Sequence, residues 1–140
     1  MYQTLLIATD GSEASSRAVD HAIELAEQLD ATLNVLSVTG EGPQAENKQD
    51  HMRTDPDAET HEAIEDVERR ATDANVEVVG ETRPGVPQET IINYGEEIDA
   101  DVIVVGSSEK SGLDSLLSGS VAQEVVSESR IPVLTVRGPE

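Results

Sequence analysis

The chain has 140 residues, with 29 Asp and Glu against 9 Lys and Arg, a formal net charge of -20, no cysteine, and Tyr2 and Tyr94 as its aromatic residues. That length suits one domain able to bury a core unaided, and the missing thiols exclude a cysteine nucleophile, a cysteine-ligated zinc and a disulfide framework. The charge excludes sequence-independent binding to nucleic acid or anionic membranes, which needs basic patches, and the scarcity of rings excludes a base-stacking platform.

Despite the acid, the apolar residues fall into periodic runs, so the chain reads as folded rather than disordered. No run reaches the roughly 18 apolar residues of a membrane span, and the start MYQTLLIATDG lacks the basic region and long apolar core of a targeting signal. A cytoplasmic protein is expected. Acid excess with two lysines, Lys48 and Lys110, further points to a cytoplasm at molar salt, where surface charge holds water and screening limits self-repulsion.

In chain order, Leu5, Leu6, Ile7 and Ala8 form a continuous apolar run, the form of a strand buried on both faces. A helix is predicted from about Ser12 to Leu29, with Ala14, Ala18, Ala22, Leu25, Ala26 and Leu29 on its apolar stripe and His21 on the polar side. The second strand is Thr32 to Thr39. Residues 40–55 contain Gly, Pro and polar residues without periodicity and read as the one long loop. Asp55 can cap, and Pro56 can open, a second helix burying Ile64, Val67, Ala71 and Ala74. Val76, Val78 and Gly80 then alternate with Glu77, Val79 and Glu81, the period of an edge strand.

Pro87 can start a third helix to about Glu97, with Ile91, Ile92 and Gly95 inward and Tyr94 read as packing. A fourth strand, Val102 to Val105, ends at Gly106. A Ser- and Gly-rich stretch leads to a last helix from about Ser120 to Ser129, with Ser120 and Gln123 at capping-box spacing, and Val133 to Val136 form the fifth strand. Strands alternating with helices predict a doubly wound α/β fold, a parallel sheet covered on both faces.

Ligands of such sheets collect beyond the carboxyl ends of the strands, where the strand order reverses. Two strand ends carry suitable residues. Asp10, after Ala8 and Thr9, can accept hydrogen bonds from a ribose or adenine, or can cap the following helix; position alone leaves both open. The stretch from Gly106 and Ser107 to Gly119, Ser120 and Val121 leads from a buried strand through a flexible loop to a helix start, where backbone N–H groups can face an anion; an ordinary strand-to-helix loop is the alternative.

At these residues the chain resembles the universal stress protein family over essentially its whole length. LLIATDGSEAS resembles the family's first strand and Asp-Gly-Ser turn, LNVLSV its second strand, RPGVPQETI its Gly-x-Pro entry to the third helix, and ADVIVVGSS, LLSGSVAQEVV and IPVLTV its C-terminal half. The resemblance implies a five-stranded parallel sheet of order 3-2-1-4-5 of the flavodoxin or Rossmann-like kind. It also implies a single-domain stress-response protein, in the acid-rich form expected of a halophilic archaeon.

The family's nucleotide-binding branch is marked by Gly, two residues, Gly, nine residues, then Gly followed by Ser or Thr. Gly106, Gly119 and Ser120 match, whereas Glu109 stands at the second glycine position. The resemblance implies ATP, with Mg or Mn on the phosphates. Ala8, Asp10 and Val38 would lie around the adenosine, and Gly106, Ser107, Gly119, Ser120 and Val121 around the phosphates. A carboxylate about 4 Å from a phosphate charge costs about 1 kcal/mol in water and about 4 kcal/mol at an effective dielectric of 20. Glu109 therefore raises a second reading: a dimeric interaction protein that has lost its nucleotide. In either case the resemblance implies a homodimer joined through the last strand, Val133 to Val136.

Enzymatic readings have less behind them. The chain lacks a P-loop motif and a Gly-x-Gly-x-x-Gly after the first strand. Ser107, Ser108 and Ser111 have no nearby histidine as base. Slow ATP hydrolysis stays open, with no general base named. Asp50, His51, Asp55, Asp57, His61 and Glu65 read as a solvated acidic surface rather than a metal site.

Overall fold

Leu5, Leu6 and Ile7 are fully buried and Ala8 nearly so, which a strand achieves only between two covering layers. The computed structural model describes residues 2–9, 13–39, 56–107 and 119–137, with the backbone alone at residues 13, 14, 56–60, 119 and 120. Among the described residues the elements are β1 (Thr4–Ala8), α1 (Glu13–Leu29), β2 (Thr32–Thr39), α2 (Pro56–Asp73), β3 (Val78–Pro84), α3 (Pro87–Glu97), β4 (Val102–Ser107), α4 (Gly119–Glu128) and β5 (Val133–Arg137). The strands form one parallel sheet in the order β3-β2-β1-β4-β5, as the resemblance implies. The order reverses between β1 and β4.

Alternation along each strand divides the core into two layers. Leu5, Ile7, Leu33, Val35, Val102 and Val104 pack with Ala18, Ala22 and Ala26 of α1 and with Ile64, Val67 and Ala71 of α2. On the other face Leu6, Ala8, Leu36, Val38, Ile103 and Val105 pack with Ile91 and Tyr94 of α3 and with Ala122 and Val125 of α4. Of the apolar stripes predicted for the helices, Ala18, Ala22, Ala26, Ile64, Val67, Ala71, Ile91 and Gly95 are buried, Leu25 and Ala74 are half-buried and Leu29 is 40% exposed, the Ala14 side chain being outside the described residues. Leu29 is the last residue of α1, where the chain turns back toward the sheet. Ile92 is only partly buried.

α1, α2 and α3 end in the same way. Asp30, Asn75 and Asp99 take left-handed φ of 56°, 62° and 55°, a conformation that Asp and Asn tolerate better than most residues. The next residue then donates its N–H to the carbonyl five positions back: Ala31 to Ala26 at 2.9 Å, Val76 to Ala71 at 2.8 Å and Ala100 to Gly95 at 2.9 Å. This is the Schellman closure, with the following apolar residue tucked against the core. It corrects the expected start of the third strand. Val76 is buried, but its N–H is used by the helix end, so β3 begins at Val78 and runs on to Pro84. Pro84 is compatible with a strand at the sheet edge, where a missing N–H breaks no ladder.

The lower edge of the sheet is tied by Asp101, whose carboxylate accepts from the backbone N–H groups of Gln3 at 2.8 Å and Thr4 at 3.0 Å while its own N–H donates to Thr4 O at 2.7 Å. These contacts join β1 to β4 at the end opposite the predicted site. Arg70 of α2 joins the two helices on one face, donating to Asp66 at 2.9 Å and to Asp20 of α1.

Candidate functional site

The order reversal brings the carboxyl ends of β1 and β4 side by side: Leu5, Leu6 and Ile7 pair with Val102, Ile103 and Val104, and the next residues of both strands continue to the same edge. β1 ends there at Ala8 with Thr9 following, and β4, expected to stop at Val105, continues through Gly106 to end at Ser107. β2 contributes from the other side, since Ala8 is in register with Leu36. Ala8 and Val38 belong to one buried cluster, against which Val121 of α4 packs. Three residues predicted from separate segments are thus brought together on one face.

α4 begins at Gly119, and its first turn carries no acidic residue. Its backbone dipole therefore presents a positive end without a carboxylate of its own turn to cancel it. Gly119 and Ser120 are described by their backbone alone, and Asp10, Ser108, Glu109, Lys110 and Ser111 lie outside the described residues, as does the predicted loop of residues 40–55.

Around Thr9 the structure adds groups that the sequence reading passed over. Thr9 N–H donates to Leu36 O at 3.0 Å, extending the ladder one residue beyond β1. Ser37 of β2 donates its hydroxyl to Thr9 O at 3.0 Å, and Thr9 Oγ1 lies 3.0 Å from Ser15 Oγ of α1. All three residues are buried. A signal was available: Ser37 continues the Leu33, Val35 face of a buried strand, where a polar side chain needs a partner.

Beyond β2, Gly85 donates its N–H to Thr39 O at 3.1 Å and has φ of 137°, so the turn between β3 and α3 sits against the end of β2. Next to it, Arg83 is in register with Val38. Its guanidinium grips Glu97 of α3 through two hydrogen bonds of 2.9 and 2.7 Å, donates to Glu81 at 3.0 Å and lies 4.7 Å from the centre of the Tyr94 ring. Glu97, then Glu81, raise the Arg83 pKa further, and Arg83 holds the Glu97 carboxyl below its usual range. Burial first, then the Glu81 charge, push the Tyr94 hydroxyl up. These groups are locked in pairing that anchors α3; they are not poised for proton transfer.

On the far side of β4, Ser107 is in register with Arg137 of β5. Arg137 is exposed, and it places a cation one strand away from the predicted phosphate end. A cavity of about 320 Å³ lined by Glu96, Asp99, Ala100, Arg130 and Ile131 lies at the opposite edge of the sheet, where β4 and β5 begin. Among the described residues no group of three His, Asp or Glu side chains converges as metal ligands, and no helix is long and apolar enough to cross a membrane.

A model of the universal stress protein family matches residues 1–137. The chain belongs to the universal stress protein family. It is 34% identical to universal stress protein MJ0531 of Methanocaldococcus jannaschii over all of this chain and 85% of that one, and 32% identical to universal stress protein YxiE of Bacillus subtilis over 98% of this chain and 100% of that one. Among solved structures, a universal stress protein in complex with cAMP superimposes with a TM-score of 0.74 at 26% identity, covering 99% of both chains. The fold is also that of protein MJ0577 of Methanocaldococcus jannaschii, with a TM-score of 0.79 at 24% identity over 100% of this chain and 99% of that one.

Proposed function

We propose that this universal stress protein is a stress-response regulator that binds an adenine nucleotide, with ATP as the principal ligand, in the crevice between the ends of β1 and β4. The observation that carries the reading is the convergence of Ala8, Val38 and Val121 on one buried cluster beside the start of α4. An apolar floor for a nucleoside thus stands next to a helix end suited to phosphate. The related structure in complex with cAMP supports the same ligand class. Asp10 would serve the nucleoside, with Thr9 behind it because its N–H, carbonyl and hydroxyl are engaged within the fold, and Gly106, Ser107, Gly119 and Ser120 would serve the phosphates.

The described crevice residues fit a phosphate-borne cation. Ser107 offers a hard hydroxyl oxygen and none of the others carries a charge. Mg or Mn would screen the phosphates against the field of a chain of net charge -20. We assign no catalytic residue, and turnover is not part of the reading. The domain would act as a homodimer through β5, an edge strand on which Leu134 is 40% exposed; pairing with a second copy would cover that edge.

Isothermal titration with ATP and Mg in molar KCl tests the reading, alongside mass spectrometry of whatever freshly purified protein releases on denaturation. Saturable binding at about 1 mM or tighter, about 4 kcal/mol, is expected. Absence of both saturable heat and released nucleotide would reject it in favour of the ligand-free dimer, for which Glu109 is the sequence motive.

A further inference from the structure

At Thr9, just past β1, the chain is held by hydroxyl groups in a place where the sheet would otherwise carry alkyl side chains. Ser37 continues the Leu33 and Val35 face of β2, which packs against α1 and α2. It is 3% exposed, Thr9 is 4% exposed and Ser15 is fully buried. Burying a hydroxyl is unfavourable unless it is bonded, and even a good internal bond adds little net stability over the water bonds it replaces. What such bonds do supply is direction. The Ser37 hydroxyl takes the Thr9 carbonyl at 3.0 Å, the Thr9 N–H is spent on Leu36 O at 3.0 Å, and the Thr9 hydroxyl meets Ser15 of α1 at 3.0 Å. The first residue after β1 is thereby tied to β2 through its N–H and carbonyl and to the following helix through its side chain.

We infer that Ser37, acting through Thr9, is a positioning residue for the nucleotide, fixing the direction in which the chain leaves β1 beside the nucleoside. This rests on the nucleotide reading above. Ser37 itself faces α1 and α2, away from the Ala8 and Val38 face, so it acts without touching ligand. It works on the backbone from which the nucleoside contacts are made.

The test compares Ser37→Ala, Thr9→Val and Ser37→Thr with Val35→Ala. Val35 is fully buried two residues down the same face, and its truncation leaves a cavity without touching the hydroxyls. Amide exchange in the ligand-free chain and the affinities for ATP and AMP are read together with thermal stability. In Ser37→Ala and in Thr9→Val, exchange at Thr9 and at Ser15 should quicken about fivefold or more, and both affinities should weaken by a similar factor. Ser37→Thr, which keeps the hydroxyl, should restore both. Val35→Ala should lower the melting temperature further while moving neither readout. If Ser37→Ala proves too unstable to purify, Thr9→Val, which keeps the side chain's shape, carries the comparison.

Unchanged exchange in the hydroxyl variants would overturn the inference, as would quickened exchange with unchanged affinity; in both cases the nucleotide reading would survive. Failure of the unaltered protein to bind any adenine nucleotide would sink the nucleotide reading, and the positioning role with it.

Discussion

Replacing Gly85 by alanine isolates one requirement of the turn that abuts β2. Gly85 has φ of 137°, and a Cβ there would lie 2.7 Å from Thr90 Oγ1. Two costs follow, of different kinds. A side chain forced into that backbone region costs about 1–3 kcal/mol, and the contact adds a smaller amount because the Thr90 side chain can rotate away. A total near 2–3 kcal/mol is a large share of the roughly 5–15 kcal/mol stability of a domain, and should lower the melting temperature by roughly 6–12 °C.

Urea denaturation of Gly85→Ala, Thr90→Ala and the double variant separates the two costs. If the backbone dominates, removing Oγ1 restores only about 0.5–1 kcal/mol of the loss. Full recovery in the double variant would show that the contact, and not the backbone, demands glycine. A loss below about 0.5 kcal/mol in Gly85→Ala, within the range of neutral surface changes, would refute the reasoning altogether.

Four further outcomes are expected. Asp101 is held below the ordinary carboxyl range by the Gln3 and Thr4 N–H groups, so its contribution is present above the unfolded value of about 3.9 and lost as pH falls through the lower folded value. Asp101→Asn should be less stable than the original chain at pH 7, with the gap closing below about pH 4; a gap constant from pH 7 to pH 3 in urea melts would contradict this. Glu128 is shifted the other way by hydrogen bonding with Glu124, with Glu89 adding to the field, and its contribution is therefore lost as pH rises through the raised folded value. Glu128→Gln should stabilise the protein at neutral pH in low salt and lose that advantage in molar KCl.

Gly80→Ala should cost about 1–3 kcal/mol in urea melts, because the added carbon would stand 2.6 Å from Ile64 Cγ2 and 2.8 Å from Glu68 Oε2, where β3 and α2 approach closely. Arg137→Gln should weaken ATP more than AMP in titrations, since Arg137 neighbours Ser107 at the phosphate end, and the difference should shrink with salt.

Much of this protein was legible in one dimension because its signals are local. A strand buried on both faces is a continuous apolar run, and a helix on a sheet repeats its apolar residues at helical spacing. These periods are visible at Leu5 to Ala8, in the Ala18, Ala22, Ala26 stripe and at Val102 to Val105, and they determined the order of elements and the doubly wound class. The resemblance added the strand order, and the glycines and serines of the fourth strand end pointed to phosphate. The expectation, from the charge of -20, that the chain meets neither nucleic acid nor an anionic membrane surface likewise needs no fold.

Other features arise only when distant segments meet. Val76 looks like the start of a strand, yet its N–H is captured by the Ala71 carbonyl, and no local pattern separates the two uses. Arg83 finds Glu97 and Tyr94 because β3 lies beside α3, and Arg137 comes next to Ser107 because β5 adds in register to β4. Ser15, Thr9 and Ser37 are linked because the sheet register brings the Thr9 carbonyl to the Ser37 hydroxyl and the seating of α1 brings the Ser15 hydroxyl to that of Thr9. Hydrogen bonds and ion pairs depend on separations of a few tenths of an ångström, and those separations are set by how the layers pack. The pattern of apolar residues therefore determined which layers form, and only the packed structure decided which polar groups meet.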